Sequence, residues 1–251
     1  MISMKLGILS DIHEDVTKLK KAIRNLEKSN CNELICLGDI VGFSHFYEEY
    51  IEQRDANECI SIIKSNCKFV VAGNHDLHAI KKIPKYKAGI KYPKNWYELD
   101  YLEKVKLYYR KIWLYDDEID SKIDKKNREF LNALKEYEIA EYDGNCFLFT
   151  HFLYPDISGA TTKHLKTRQD VNEHFNFMSD KNCLIGFLGH AHIVGFALAV
   201  QNDLKFHPFG NRQLNNELQC IVLPSIASGN KKSGYLIFDT QSFKLNAVSL
   251  H

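Results

Sequence analysis

A short apolar run that stops at a residue of a metal-ligand type occurs five times in this sequence. The polar segments that follow these runs are Ser10-Asp11-Ile12-His13, Gly38-Asp39, Gly73-Asn74-His75-Asp76, Thr150-His151 and Gly189-His190-Ala191-His192. Such runs predict strands buried on both faces, and the helical patterns between several of them predict parallel βαβ units. Ligand sites of open α/β sheets lie at the carboxyl ends of the strands, so the five segments are expected to meet there.

The remaining segments predict an α/β fold with added elements. Apolar spacing and capping residues predict helices over 15–30 and 55–66. Four closely spaced runs predict antiparallel strands: Gly195 to Val200, Gln219 to Leu223, Gly234 to Asp239 and Phe243 to Leu250. We expect one domain over 1–251 with a helical insertion at about 80–145. Its two helices are predicted on Leu102, Val105, Tyr109 and Ile112 and on Phe130, Leu131, Leu134 and Tyr137.

Charge and cysteine content exclude several classes. The 33 Lys and Arg against 32 Asp and Glu give a formal charge of +1, so there is no strong nucleic-acid signal. The longest apolar stretch, 193–200, is far short of the roughly 18 residues that a membrane span needs. The first residues leave no room for a cleavable leader, and seven cysteines form no C-x-x-C pair. We therefore expect a cytoplasmic protein with no membrane partner, whose cysteines are mostly reduced.

The residues collected at the strand ends are suited to transition metals. They supply carboxylate, amide and imidazole groups and no thiolate: Asp11, His13, Asp39, Asn74, His151, His190 and His192. Such a set suits Mn, Fe or Zn and is large enough for two divalent or trivalent ions that share one carboxylate. A single D-x-H or H-x-H is more often structural, but the joint order favours a metal centre. Two close metals activate water for displacement at phosphorus, so phosphoester hydrolysis is the predicted reaction.

The motifs, taken in this order, resemble those of the calcineurin-like metallophosphoesterases. Within that superfamily the small bacterial and archaeal predicted phosphoesterases are the most similar group. The hallmarks are Gly38-Asp39-Ile40-Val41-Gly42, Asn57-Glu58-Cys59, Val71 through Leu77 and a late Pro224-Ser225 loop. The resemblance implies a four-layer αββα sandwich with two central mixed β-sheets. It also implies hydrolysis of a phosphomonoester or phosphodiester by a hydroxide that bridges the two metals.

The resemblance also implies a role for each site residue. Asp11, His13 and His192 would bind the first metal, and Asn74, His151 and His190 the second. Asp39 would bridge the two. His75 would stabilise the transition state and protonate the leaving oxygen, with Asp76 orienting its imidazole.

Three departures from the family pattern narrow these expectations. No Asp and Arg follow the second motif, which argues against protein phosphatase activity. Phe152 follows His151 where relatives usually have Gly, so the backbone near the second metal is expected to differ. The late loop lacks the usual Asn and Gly beside Pro224 and Ser225, which argues against a loop contribution to phosphate binding.

Several alternatives stay open. A non-catalytic metal-binding scaffold on the same fold, like the retromer subunit that resembles these enzymes, is the main one. A nucleic-acid-processing member is another, but the chain has little room for the usual added domain. The expected partner is a small phosphorylated substrate, with a nucleotide as one candidate. The Lys-rich stretch at 81–97 is either a flap over an anionic substrate or a solvated loop whose aromatic residues pack on the domain, and we favour the loop.

Overall fold

The computed structural model describes residues 4–227, 229 and 231–250. The strands are β1 (Lys5–Leu9), β2 (Glu33–Cys36), β3 (Phe43–Ser44), β4 (Cys67–Val70), β5 (Glu118–Ile119), β6 (Tyr137–Tyr142), β7 (Asn145–Thr150), β8 (Ile185–Ile193), β9 (Phe196–Val200), β10 (Asp203–His207), β11 (Gly210–Gln213), β12 (Gln219–Pro224), β13 (Gly234–Asp239) and β14 (Lys244–Ser249). The α-helices are α1 (Val16–Lys28), α2 (Ala56–Asn66), α3 (Asn74–Ala79), α4 (Tyr101–Tyr108), α5 (Lys125–Ala133) and α6 (Asn172–Asp180). Short 3₁₀ helices cover His45–Tyr50, Trp96–Glu98 and Arg168–Val171.

Two six-stranded mixed sheets form the centre of the molecule. The first has the order β11-β14-β13-β1-β2-β4, in which β1, β2 and β4 are parallel. The second has the order β10-β9-β12-β8-β7-β6, in which β7, β8 and β12 are parallel. A separate pair joins β3 and β5. The predicted α/β class with two mixed sheets is confirmed.

The two sheets pack face to face between outer helices. Leu6 and Ile8 of the first sheet and Phe149 and Phe187 of the second belong to one buried cluster between the sheets. Residues of α1, α2 and α5 pack on the outer face of the first sheet, and residues of α6 pack on that of the second. Each fully buried large apolar side chain contributes about 1.5–3 kcal/mol to folding. The arrangement is the expected four-layer αββα sandwich.

The two predicted N-terminal helices are confirmed nearly to the residue. Asp15 caps α1 by accepting a hydrogen bond from the Lys18 N–H at 2.8 Å. Asp55 caps α2 in the same way, through the Glu58 N–H at 2.9 Å. Carboxylates at these positions satisfy N–H groups that the first helical turn leaves without partners. No helix in the described part of the chain is long and apolar enough to cross a membrane.

The helical insertion predicted at about 80–145 is only partly helical. Tyr109 and Ile112, predicted on its first helix, lie beyond the end of α4. Tyr137, predicted on its second, instead begins β6, which pairs with β7 as an antiparallel hairpin. The hairpin turns at Asp143 and Gly144, both with positive φ, and Asp-Gly favours such a turn. That dipeptide was the sequence signal for the missed strand.

The C-terminal strands are only partly antiparallel. β12 is antiparallel to β9 but parallel to β8, because the chain returns to the second sheet between these two strands. Two further strands, β10 and β11, extend one edge of each sheet and were not predicted. Their exposed, mostly polar residues lack the apolar runs by which the other strands were recognised.

All seven cysteines lie in the described residues, and two of them are paired. Cys146 at the start of β7 and Cys183 before β8 form a disulfide. Cys31, Cys36, Cys59, Cys67 and Cys220 are free. Five of the seven cysteines are therefore free, which agrees with the expectation that most are reduced, whereas Cys146 and Cys183 are the exceptions.

Candidate metal centre and active site

The polar residues after the parallel strands meet between the facing ends of the two sheets. Asp11 and His13 follow β1, Asp39 follows β2, His151 follows β7, and Asn74 begins α3 after β4. His190 and His192 lie in the last part of β8. Because the sheets pack face to face, ends that are far apart in sequence share one cleft. The structure thus brings all seven predicted ligands to one end of the sandwich.

One group of ligand atoms comes from Asp11, His13 and His192. The Nε2 atoms of the two histidines are 3.1 Å apart, and His192 Nε2 is 3.2 Å from Asp11 Oδ1. All three ligand atoms lie within 4.8 Å of one another. This is the set predicted for the first metal.

A second group comes from Asp39, His151 and His190. His151 Nε2 is 3.0 Å from Asp39 Oδ2 and 3.2 Å from His190 Nδ1. Asp39 Oδ2 is also 3.9 Å from His13 Nε2 of the first group. Asp39 therefore lies between the two groups, at the position predicted for a bridging ligand.

Asn74, which the resemblance places on the second metal, has a buried atom without a partner among the described residues. Its side chain is buried, and its Oδ1 has no hydrogen-bond partner among the described residues. A buried amide oxygen without a partner costs free energy, and a metal ion would relieve that cost.

The histidine tautomers also fit a cation. His13 Nδ1 donates to the Gly42 carbonyl and His151 Nδ1 donates to the Leu37 carbonyl, both at 2.7 Å. Each Nδ1 therefore carries a proton, and Nε2 is the ring nitrogen left to bind a metal. Backbone carbonyls commonly orient metal-binding histidines in this way. Lone pairs and carboxylates that converge in a buried cluster fit transition metals with nitrogen and oxygen ligands.

The pKa values of His13, His190 and Asp39 agree with the protonation states that metal binding needs, whereas a metal ion would have to displace a proton from His151. Burial would lower the pKa of His151, but the charges of Asp39 and Asp11 and the hydrogen bond to Asp39 raise that pKa to about 9. Burial lowers the pKa of His13 to about 3, and the charges of His75 and His192 add to the effect. Burial also lowers the pKa of His190 to about 3. Burial would raise the pKa of Asp39, but the charges of His151 and His75 hold that pKa well below its usual value. Neutral imidazoles and ionised carboxylates are the forms that bind metals.

The backbone that presents these ligands is unusual. Asp11, His13, Asp39, His190 and His192 all have φ between 45° and 64°, in the left-handed region that non-glycine residues rarely adopt. Such conformations cost about 1–3 kcal/mol each and concentrate at functional sites. The surrounding fold holds them in place by main-chain hydrogen bonds, such as those from the Ile12 and His13 N–H groups to the Asp39 carbonyl.

The H-x-H segment lies in a wide bulge of β8. Leu188 pairs with Val222 and Ile193 pairs with Pro224, so the whole Gly189 to His192 segment lies opposite Leu223 alone. Bulges re-aim side chains beside active sites. A Cβ on Gly189 would collide with Ser10 Oγ and approach Asp11 Oδ2, so this position requires glycine for the two sheets to close on the site.

The predicted link between Asp76 and His75 is wrong. The Asp76 carboxylate accepts hydrogen bonds from the main-chain N–H groups of Asp39, Ile40, Val41 and Gly73, at 2.8 to 3.2 Å. Among the described residues it has no hydrogen bond to the His75 imidazole. Asp76 points into α3's own N-terminal turn and fixes the loop that carries Asp39. Burial and the negative charge of Asp39 raise the pKa of Asp76 to about 7, although the hydrogen bonds from the main-chain N–H groups lower it.

Glu118 takes the role expected of Asp76. Its Oε2 is 2.7 Å from His75 Nδ1, and its side chain is 6% exposed. Burial would lower the pKa of His75, but the charge of Asp39 and the hydrogen bond that His75 Nδ1–H donates to the charged Glu118 carboxylate raise it to about 9. Glu118 lies on β5, paired through Ser44 with β3, which directly follows the Gly38 to Gly42 motif. No motif marks Glu118; its only sequence signal is a short acidic stretch.

A cavity of about 580 Å³ opens onto the metal-ligand groups. Its floor includes His13, Asp39, Asn74, His75, His190 and His192. Its walls come from three parts of the chain that carry none of the recognised motifs: Ser44 with Tyr47, 113–117 and 163–165. Tyr47 belongs to the wall and also contacts the floor, since its ring stacks on His13 at 4.9 Å and its hydroxyl is 3.3 Å from His192 Nδ1.

Three further segments were singled out by the sequence: Phe152, the late loop and the Lys-rich stretch. Of these, Phe152 alone lines the cavity. Phe152, which follows His151, packs its ring 4.5 Å from that of His190 and lines the cavity. Residues 225–227 of the late loop do not line it; Ile226 and Ala227 instead donate main-chain hydrogen bonds to Ser10 and Asp11. The lysines of the 81–97 stretch do not line it either.

Two mixed sheets packed face to face, with histidines and carboxylates gathered at their strand ends, define a metal-binding α/β sandwich. The chain belongs to the calcineurin-like phosphoesterase superfamily, because the model of that superfamily's domain matches residues 4–207. The resemblance inferred from the motifs is confirmed.

Individual relatives agree with this assignment. The chain is 25% identical over 263 residues to an uncharacterized protein of Methanocaldococcus jannaschii, which covers 99% of this chain and 88% of that protein. A metallophosphoesterase from Sphaerobacter thermophilus superposes with a TM-score of 0.70 at 16% identity, over 100% of this chain and 89% of that one. A hypothetical protein from Pyrococcus horikoshii gives a TM-score of 0.58 at 15% identity, over 100% and 88%. At these identities the structural likeness establishes the fold.

Proposed function

We propose that the protein is a phosphoesterase that uses two transition-metal ions, Mn, Fe or Zn, to hydrolyse a phosphomonoester or phosphodiester. The observation that carries the proposal is the position of Asp39 between two groups of convergent ligands. Asp11, His13 and His192 would hold one ion, and Asn74, His151 and His190 the other, with Asp39 shared. When bound, the ions would lower the pKa of a water molecule and neutralise charge on the phosphate.

The protein's own residues would supply positioning and a proton. His75 lines the cavity beside Asp39, and its main-chain N–H donates to Asp39 Oδ1 at 2.9 Å. The hydrogen bond to Glu118 uses His75 Nδ1, which leaves Nε2 free to protonate the leaving oxygen. A general acid of this kind contributes about 10²- to 10⁴-fold to a rate. Glu118 would act as a positioning residue that fixes the ring and its tautomer.

A non-catalytic metal-binding scaffold is the alternative. Retention of His75 at the cavity, with a buried carboxylate on its Nδ1, favours the enzyme, because a scaffold would not need an oriented proton donor. The cytoplasmic location, the single domain and the small phosphorylated substrate expected from the sequence stay predictions.

One experiment separates the two functions. The protein is stripped with a chelator, reloaded with Mn, Fe or Zn, and assayed for metal content and for hydrolysis of p-nitrophenyl phosphate and bis(p-nitrophenyl) phosphate. We expect about two ions per chain and metal-dependent turnover of at least one substrate. His75→Ala should keep both ions and lose most of the turnover. Two bound ions with no turnover of either substrate would support the scaffold, and no bound ion would contradict both functions.

A further inference from the structure

The cavity wall that faces the metal-ligand groups is built by residues 111–119, here called the strap. At one end, Trp113 N–H donates to the Ala160 carbonyl at 3.1 Å and Thr162 N–H donates to the Lys111 carbonyl at 3.2 Å. At the other end, the strap pairs with β3 as β5. The strap therefore crosses from the loop after β7, on the second sheet, to the loop after β2, on the first. Its main-chain hydrogen bonds at both ends fix its distance from the floor.

One aromatic ring of the strap is available to a ligand and another is already engaged. Tyr115 stacks on His78 at 4.0 Å and is nearly perpendicular to His75 at 5.2 Å. Trp113 lines the cavity, and its one ring neighbour among the described residues, His164, is nearly perpendicular to it at 6.0 Å. Trp113 is therefore the strap ring without a stacked partner in the described part of the chain, on which a planar group can stack.

The charges around the cavity oppose a second phosphate. Outside the metal-ligand groups and His75, the charged lining residues are Asp116, Asp117 and Lys163. Two carboxylates against one ammonium give no excess of positive charge away from the metals. Leu114, Leu165 and Ile193 add apolar surface. The cavity thus provides strong attraction for one phosphate at its floor and an aromatic and apolar wall for the rest of the molecule.

We propose that the substrate carries a single phosphate, or one phosphodiester, attached to a planar uncharged ring system of the nucleoside type, and that Trp113 stacks on that ring. This rests on the proposed function, since the phosphate must lie at the metals. A cavity of about 580 Å³ falls within the usual 300–1,000 Å³ of small-molecule sites. Base stacking on an aromatic side chain strengthens binding by about tenfold to a hundredfold.

The first test measures binding without turnover. The chain has two tryptophans, so Trp96→Phe leaves Trp113 as the sole tryptophan emitter. In a metal-loaded Trp96→Phe/His75→Ala protein, adenosine 5′-monophosphate should quench the Trp113 emission, excited beyond the adenine absorption band. Ribose 5-phosphate carries the same phosphate without the base and should not. Equal quenching by both, or no quenching by either in a protein that holds its metals, would overturn the proposal.

The second test measures specificity with matched reacting bonds. If the enzyme hydrolyses monoesters, the pair is adenosine 5′-monophosphate and ribose 5-phosphate; if diesters, thymidine 5′-p-nitrophenyl phosphate and methyl p-nitrophenyl phosphate. Trp113→Ala should lower kcat/KM about tenfold to a hundredfold for the nucleoside member and leave the other within about twofold. Trp113→Phe should keep most of the preference. An equal loss on both members would mean that Trp113 only supports the strap.

These results separate the two proposals. Failure of metal binding, or of all turnover by the unmodified protein, would contradict the proposed function. Metal-dependent turnover of the p-nitrophenyl substrates without a preference for the nucleoside member would leave the proposed function standing and overturn the substrate class.

Discussion

The floor of the cavity and the strap above it differ in how deeply they are buried and in how main-chain hydrogen bonds hold them. The floor ligands His13, Asp39 and Asn74 are at most 2% exposed, and His13 and Asp39 adopt left-handed backbone that buried main-chain hydrogen bonds enforce. The strap is half-exposed along much of its length and is held at its two ends. Under the proposed function, the floor would determine whether any phosphoester reacts, whereas the strap would determine which one and would orient the proton donor.

The largest loss of activity and metal binding is expected from Asp39→Asn in the floor. Asp39 belongs to the second ligand group and lies 3.9 Å from His13 of the first, so an amide there removes a charge that both ions would need. We expect kcat/KM to fall about a thousandfold or more and the metal content to drop below two ions per chain. Metal analysis and steady-state kinetics measure both. Asp116→Asn makes the same change on an exposed strap residue and serves as the control. Similar losses of kcat/KM and metal content in the two variants would contradict the proposed difference between floor and strap.

Glu118→Gln tests the contact at which strap and floor meet. The amide cannot hold His75 as the carboxylate does, so we expect kcat to fall about 10- to 100-fold with unchanged metal content. Proton donation matters most when the leaving group is poor. The loss should therefore be larger for phenyl phosphate than for p-nitrophenyl phosphate, and Glu118→Asp should restore part of it. Equal losses on the two substrates would show that Glu118 is merely structural.

A pH titration of stability tests the core beneath the second ligand group. His174 on α6 is buried and accepts the Tyr154 N–H at 2.9 Å, and burial lowers the pKa of His174 to about 3. The unfolded chain takes up this proton near pH 6.5 and the folded chain does not, so stability is full above that pH and falls below it. By about pH 5 the free energy of unfolding should drop by about 2 kcal/mol.

His174→Asn provides the matched comparison, because its side-chain oxygen can accept the same N–H without titrating. Urea unfolding at both ends of this pH range measures the free energy of unfolding of each protein. The stability difference between variant and parent should shrink as the pH falls. A difference that does not change with pH would mean that His174 is protonated in the folded protein.

The smallest effect is expected from the Lys-rich stretch. Lys85, Lys87 and Lys91 are exposed and do not line the cavity, and nearby Tyr86 packs on Tyr137 and Phe177. Substituting the three lysines by Ala should change KM for p-nitrophenyl phosphate and for adenosine triphosphate by less than about twofold, because solvent and salt screen charges at this distance. A steep rise in KM for the triphosphate alone would restore the flap hypothesis.

Local patterns predicted the floor well because each ligand follows a recognisable strand. Asp11, Asp39 and His151 come directly after apolar runs, and parallel strands present such positions at one edge of a sheet. Asp76 shows the limit of that reasoning. It is next to His75 in sequence, but the first turn of α3 directs its carboxylate at main-chain N–H groups. Adjacency in a helix does not bring two side chains together.

Residues of the walls were missed because they follow no periodic or motif pattern. Glu118 reaches His75 across 43 positions of sequence, and Trp113 meets the loop at Ala160 across a similar distance. Such contacts depend on how an irregular segment is anchored. The insertion was also misread near Tyr137, where the Asp143-Gly144 turn starts a hairpin that overrides the helical spacing.

The sequence by itself determined the family, the two-sheet α/β class and the kinds of ligand, because strands, turns and ligand types are local properties. Only the tertiary structure decided that five of the predicted ligands adopt left-handed backbone, and that Glu118 rather than Asp76 contacts the His75 imidazole. These features arise from the packing of one sheet against the other and from the anchoring of the strap. Contacts between residues far apart in sequence carry no local signal, so only the folded chain reveals them.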